Sequence, residues 1–341
     1  MNSPLVEWTE SGLYCRAGDF YIDPNRRVKS AVITHAHSDH ARRGSAQYIC
    51  EQTSVGLLKV RLGPKIDVTG IPYREPFRLK DTLVSFHSAG HILGSAQIRI
   101  QHGPEVWVVS GDYKRDPDPS CEPFEIVPCH TFITEATFGT PKYVWDKTRD
   151  HGREIFEWWE ENAELGQNSL LYGYSLGKSQ RILAALEPFA RRPVLIHSSM
   201  VELTDCYRRE GRKLAPTRCL DEKGVYEPLD GELILAPPSI LKTEWITRLG
   251  RHQDAFASGW MQGSTFFRAD AYDHGFVISD HADWDDLNRT IDESGAKQIF
   301  VLHRSGSLIA HLRRRGIQAH PAEALRPERF ERLGGMNLDL F

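Results

Sequence analysis

The amino-acid sequence predicts an α/β fold in which a small α/β module interrupts a larger domain, and three features of its patterning carry that expectation. Short β-rich apolar runs, punctuated by glycine and proline, dominate the first part, and each ends in polar or ligand-type residues. From Arg153 onward, helical and strand patterns alternate as in a βαβ unit. After about residue 262 the short strands return, again ending in candidate ligands.

In chain order, the first strands fall at Val28 to Thr34, Thr82 to Ser88, Ala96 to Ile100, Val106 to Ser110 and Thr131 to Thr134. Helices follow at Arg153 to Ala163 and Ser179 to Phe189, alternating with strands at Ser169 to Tyr174 and Pro193 to Ser198. The closing strands are Phe276 to Ser279 and Gln298 to His303. The expected organisation is therefore residues 1–152 as the first part of the larger domain, 153–262 as the insertion and 263–341 as the second part. Chemistry at strand ends and loops is how such folds expose reactive side chains above a rigid sheet. No internal repeat or low-complexity segment interrupts the pattern.

Composition narrows the function classes. With 40% hydrophobic and 26% charged residues, the 341-residue chain can bury a sizeable core and lacks the polar excess of a disordered one. Its 42 basic residues are offset by 46 acidic ones, a formal charge of −4 that excludes nucleic-acid binding by bulk attraction. Any phosphate site must be local. Acidic metal ligands would supply part of that negative charge, and bound cations would cancel it. Six cysteines without a C-x-x-C pair, and no signal peptide at Met1-Asn2-Ser3-Pro4, suggest reduced, mostly buried thiols in a cytoplasmic protein. No apolar stretch approaches the roughly 20 residues that cross a bilayer, so no membrane association is expected.

One run dominates the chemistry. The strand Ala31-Val32-Ile33-Thr34 leads directly into His35-Ala36-His37-Ser38-Asp39-His40, four potential metal ligands in six residues. One tight loop of this kind can serve two ions, imidazoles suiting zinc and a neighbouring carboxylate reaching a second cation. A loop cannot surround a cation, so further ligands must come from other strand ends. His91 in Gly90-His91-Ile92-Leu93-Gly94-Ser95 and Asp112 in Ser110-Gly111-Asp112 are placed to supply them. His87 and His197 read as strand residues with structural roles.

These motifs resemble the signature of metallo-β-lactamase hydrolases. Glu135 in Thr134-Glu135-Ala136-Thr137 resembles the first added motif of the β-CASP nuclease branch, to which Artemis-like enzymes belong. Ser279-Asp280-His281-Ala282-Asp283 resembles the second and His303 in Val301-Leu302-His303-Arg304 the third, while Ser258 to Gly263 is similar to the stretch closing the β-CASP insertion. In length and in its opening, Gly12 to Cys15 followed by Phe20 to Pro24, the chain looks most like bacterial ligase-associated DNA exonucleases. The resemblance implies an αββα sandwich with an inserted α/β β-CASP domain. It also implies two divalent metal ions, expected to be Zn2+: His35, His37 and His91 around one, Asp39, His40 and His303 around the other, and Asp112 bridging both. Asp112 would thereby also serve catalysis. His281, paired with Glu135, would protonate the leaving oxygen, and Asp23 would brace the ligand loop.

Other readings compete. Gly173-Tyr174-Ser175-Leu176-Gly177 fits a nucleophile elbow, so a serine hydrolase using Ser175 with Asp280 and His303 is an alternative, though it leaves the histidine run unexplained. Gly177-Lys178-Ser179 suggests a P-loop, but Tyr172 stands where that motif needs glycine. Lys178 at a helix start, and Lys114 and Arg304 beside the motifs, are candidates for substrate phosphates, as are Arg42, Arg43 and Arg115. The resemblance favours DNA as substrate, with an exonuclease role in repair beside a DNA ligase and a helicase. His303 points instead to RNA, since the RNA-processing members carry histidine there.

Overall fold

A computed structural model of the chain describes residues 4–220, 229–242, 246–262, 272–302 and 306–327. Among these residues the architecture is mixed α/β, with three sheets of six, seven and six strands. His303 and Arg304, and Gly263 at the end of the closing stretch, lie outside the described residues.

The first sheet holds six strands in chain order, from Val6–Thr9 to Val68–Ile71, antiparallel at first and parallel from Phe20–Ile22 onward. The second runs Gln318–Pro321, Gln298–Val301, Thr131–Thr134, Glu105–Val109, Ala96–His102, Thr82–Ser88, Phe77–Leu79 from edge to edge. The third is parallel throughout, in the order Thr217–Leu220, Val194–His197, Leu233–Ala236, Asn168–Tyr172, His252–Ala257, His274–Phe276. A parallel sheet is covered on both faces, which is why Asn168–Tyr172 and Leu233–Ala236 are buried along their whole length.

Alternation along the strands sorts the core into layers. Phe20, Ile22 and Val32 of the first sheet meet Phe86, Ile98, Val109 and Ile133 of the second in one cluster. The opposite face of the second sheet, through Val108, Phe132 and Ile299, packs on α5 (Trp284–Ser294) and α6 (Gly306–Arg314). The opposite face of the first sheet, through Ala31, Ile33 and Tyr48, shares a cluster with four helices: α1 (Ser54–Leu62), α2 (His151–Glu164), α3 (Lys178–Leu186) and α4 (Val201–Arg209). The third sheet closes that layer through Leu171, Ile196 and Leu235.

Local chemistry explains the element ends that matter. Asp150 caps α2 by accepting from the Arg153 amide at 3.0 Å, and Ile155, Trp158, Trp159 and Asn162 form its buried stripe. Asp283 caps α5 in the same way through the Asp286 amide, and its other oxygen accepts from Trp145 N. The strand expected at Phe276 to Ser279 is instead His274–Phe276. Beyond it, three successive backbone carbonyls turn to side chains: Ile278 accepts from Lys178, Ser279 from Arg181 and Asp280 from His91. Carbonyls committed in this way cannot continue a ladder. Because His274–Phe276 pairs with His252–Ala257, the boundary expected at 262 falls within the span of the third sheet. No helix among the described residues is long and apolar enough to cross a membrane.

Candidate metal centre

Every expected ligand within the described residues sits just past the C-terminal end of a strand of the two facing sheets. His35 to His40 follow Ser30–Val32, His91 follows Thr82–Ser88 and Asp112 follows Glu105–Val109; Glu135, expected to pair with His281, follows Thr131–Thr134 in the same way. Two glycines make the approach possible. Gly90 and Gly111 both have positive φ, and a Cβ on them would meet the Lys114 carbonyl at 2.3 Å and Thr34 at 2.7 Å.

The histidine tautomers follow from their outer bonds. His91 Nδ1 donates to the Asp280 carbonyl at 2.7 Å, and His37 Nε2 donates to the Leu176 carbonyl at 3.1 Å. The Thr34 hydroxyl gives its proton to Asp23 and therefore accepts from His35 Nδ1 at 3.0 Å. The remaining nitrogens, His35 Nε2, His37 Nδ1 and His91 Nε2, consequently face one another as bare lone pairs. His37 Nδ1 lies 3.1 Å from each of the other two. Three lone pairs at that distance, with no proton left to place between them, repel unless a cation lies among them. The spacing fits one, because a tetrahedral site with 2.0–2.1 Å bonds has edges of about 3.3 Å. Burial holds all three rings below the ordinary imidazole pKa, His35 and His91 well below it, so they are in the neutral form that ligates.

Asp112 joins this trio to a second set. Its Oδ2 is 3.6 Å from His35 Nε2 and 3.8 Å from His91 Nε2, whereas its Oδ1 is 3.5 Å from His40 Nε2. The two carboxylate oxygens thus face two different groups of imidazoles. Burial alone would raise the Asp112 pKa, yet His40, His281 and His35 hold it well below the usual carboxylate range. Asp39 lies toward solvent, with Oδ2 3.7 Å from His40 Nε2. Asp23 braces the loop from behind: it accepts from the Thr34 amide at 2.8 Å and from His40 Nδ1 at 2.7 Å. It does so at φ 43°, a left-handed conformation unusual for a non-glycine residue. Burial lowers the His40 pKa, but Asp112 and Asp23 outweigh it and raise it well above the ordinary value.

On the same side, His281 Nδ1 bonds both oxygens of the buried Glu135 carboxylate, at 3.0 and 3.1 Å. That carboxylate is itself oriented by the amides of Tyr113 and Thr137. Glu135 and Asp112 overcome the lowering effect of burial and raise His281 to about 9, which keeps the ring protonated at neutral pH.

A cleft of about 790 Å³ opens over these residues, lined by His37, Asp39, His91, Asp112 and His281. Aromatic rings also line it: Phe138, 5.9 Å from the His281 ring, which carried no local signal in the sequence, and Tyr174 and Trp260, which fall in the elbow-like motif and in the stretch Ser258 to Gly263. The two lysines expected to meet phosphate are buried. Lys114 is 1% exposed, and its ammonium bonds Asp118, four residues further along the chain, at 2.8 Å. Lys178 lines the cleft, but its ammonium bonds the Ile278 carbonyl at 2.6 Å and Asp280 at 2.9 Å. Ser175 Oγ lies 3.2 Å from Ser199 Oγ, whose hydroxyl meets His197 Nδ1 at 2.9 Å. The partner proposed for it in an esterase-like reading, Asp280, is instead bound to Lys178 and Arg181. His87 pairs with Glu125 at 3.0 Å, apart from the ligands.

No family model matches the chain. A protein of Opitutus terrae named probable DNA ligase is 32% identical over 312 residues, 90% of this chain but 30% of that protein. The RNase J-like protein of Methanocaldococcus jannaschii is 21% identical over 229 residues, 58% of this chain and 54% of its own length. The chain belongs to the β-CASP branch of the metallo-β-lactamase superfamily. This β-CASP chain thus spans less than a third of the Opitutus relative and about half of the Methanocaldococcus one. A solved structure of a protein of unknown function from Enterococcus faecalis V583 matches 80% of the β-CASP chain and 74% of its own, with a TM-score of 0.55 at 12% identity, a likeness of fold alone.

Proposed function

We propose that the chain is a metal-dependent nuclease that hydrolyses phosphodiester bonds of DNA, acting as an exonuclease in repair. The observation that carries this reading is the convergence of three imidazole lone pairs and both oxygens of Asp112 beneath a cleft that His281 also faces.

Two divalent cations, which we take to be zinc, would be held by His35, His37 and His91 and by Asp39, His40 and His303, with Asp112 shared between them. When bound, such ions polarise a phosphoryl oxygen and acidify a water for in-line attack. The chain's own residues do the rest. Asp112 fixes the spacing of the two sets, Thr34, Leu176 and Asp280 fix the tautomers, and Asp23 holds His40. His281, with Nδ1 on Glu135, presents Nε2 as the proton donor to the leaving oxygen. We read the two facing sheets with their outer helices as the αββα sandwich, and the parallel third sheet with its helices as the β-CASP insertion, extended to Phe276.

The Opitutus relative, matched over 90% of the chain and named for DNA ligation, supports DNA as the substrate and a ligase as the working partner. A helicase partner rests on the resemblance alone, and a cytoplasmic location on the cysteine pattern. RNA is the second reading, favoured by the RNase J-like relative and by histidine at 303. End-labelled single-stranded DNA and RNA incubated with metal-quantified protein, beside Asp112→Asn, test the proposal. Stepwise shortening of DNA by the parent and none by the variant supports it; cleavage of RNA alone replaces it with the second reading.

A further inference from the structure

Beside the cleft lies a second cavity of about 430 Å³ whose wall carries Arg26, Arg27, Arg42, Arg43 and Arg61 and no acidic side chain. Ser38 and Arg61 line both cavities, so the two adjoin at the metal-ligand loop. The placement follows from the site itself. Arg26 and Arg27 stand three and four residues after Asp23, Arg42 and Arg43 two and three residues after His40, and those two anchors are bonded at 2.7 Å. Arg61 stands in the last turn of α1.

The arginines are only partly engaged. Arg26 pairs with Glu10 in a fully solvated bridge, and Arg43 donates to the Arg61 carbonyl at 3.0 Å. Arg27 and Arg42 are exposed and make no ion pair among the described residues. Arg61 Nε is buried with no hydrogen-bond partner. Five like charges gathered in one cavity repel one another, on a chain whose net charge is −4. A polyanion relieves that repulsion. A terminal phosphate brings at most about two negative charges, too few for five guanidinium groups, whereas successive phosphates of a strand match them.

We propose that this cavity binds the phosphodiester backbone of the nucleic-acid strand where it leaves the metal centre on the Asp39 side. The proposal rests on the nuclease reading and supplies its local basic site. The test is fluorescence anisotropy of a labelled single-stranded oligonucleotide across a salt series, comparing the parent with Arg27→Gln/Arg42→Gln and Arg27→Lys/Arg42→Lys. Hydrolysis of bis(p-nitrophenyl) phosphate and metal content serve as controls. The glutamine pair should weaken oligonucleotide binding about tenfold and flatten the salt slope by about 1.4, roughly 0.7 for each phosphate no longer neutralised. The lysine pair should keep the slope, and all variants should keep the parent's metal content. Unchanged affinity and slope in the glutamine pair overturn the proposal, as does a loss confined to oligonucleotides with a terminal phosphate. If the parent cleaves no diester at all, the nuclease reading fails, while the anisotropy still decides the cavity.

Discussion

The backbone carbonyl of Asp280 accepts the Nδ1 proton of His91 at 2.7 Å, while the Asp280 carboxylate meets Lys178 at 2.9 Å and Arg181 at 3.3 Å. A metal ligand is thereby tied to the buried ion pairs of α3. Asp280→Asn removes the only negative charge bonded to Lys178 among the described residues, and breaking a buried pair from one side costs about 3 kcal/mol. The variant should unfold at lower denaturant and hold less metal. An unchanged midpoint with full metal content would show that the link carries no energy.

Lys178 also sets a pH dependence of stability. Burial pulls its ammonium from 10.5 down to about 8, with Asp280 opposing. Between about 8 and 10.5 the unfolded chain holds a proton here that the folded chain has released. Unfolding free energy from this group therefore rises with pH through that window. Lys178→Met lacks this component, so wild type should gain on the variant as pH moves from 7 to 10, read as the difference in urea midpoints. A pH-independent difference would remove the argument.

The same lysine marks where sequence reasoning ran out. The strands Thr82–Ser88 and Thr131–Thr134 and helix α2 were legible because short apolar β-rich runs and a helical pattern are local signals. The ligand loop was legible because four ligand types are packed into six residues. Short strands such as Phe20–Ile22, and α1 with its weak amphipathic pattern, carry little local signal and were not anticipated. Lys178 looked like a surface charge because the carboxylate that buries it becomes a neighbour only in the fold, Asp280 lying about a hundred residues further along; Lys114 pairs with Asp118 four residues away, but nothing local in the sequence shows that both are enclosed. The carbonyls of Leu176 and Asp280, which fix two tautomers, have no side-chain identity to read.

Asp112 faces His35 and His91 with one oxygen and His40 with the other. Asp112→Asn replaces one carboxylate oxygen by an amide nitrogen that cannot ligate and removes the negative charge shared between the two sets. Hydrolysis should fall below detection, with metal content reduced at both positions by elemental analysis. Retention of both metals with near-normal turnover would eliminate the shared-carboxylate arrangement.

His281 touches Glu135 rather than the imidazole trio through its bonded nitrogen. His281→Ala should therefore lower turnover by about 10² to 10⁴, the range for removing a general acid, with metal stoichiometry intact. A leaving group that needs no proton, such as p-nitrophenolate, should recover much of the loss. Metal depletion in this variant would reassign His281 from proton donor to ligand.

Ser175 distinguishes metal chemistry from nucleophilic serine chemistry. It lines the cleft, and its hydroxyl reaches Ser199 at 3.2 Å and, through it, His197, a chain with the outline of a relay. A working triad needs an acid to orient the base, and Asp280 is committed to Lys178 and Arg181. Ser175→Ala should leave diester hydrolysis within about twofold of the parent, because losing an exposed hydroxyl away from the ligands removes no proton donor and no ligand. An inactive Ser175→Ala protein with full metal occupancy would transfer the chemistry to the serine, since the imidazole trio and Asp112 would then be present without being sufficient.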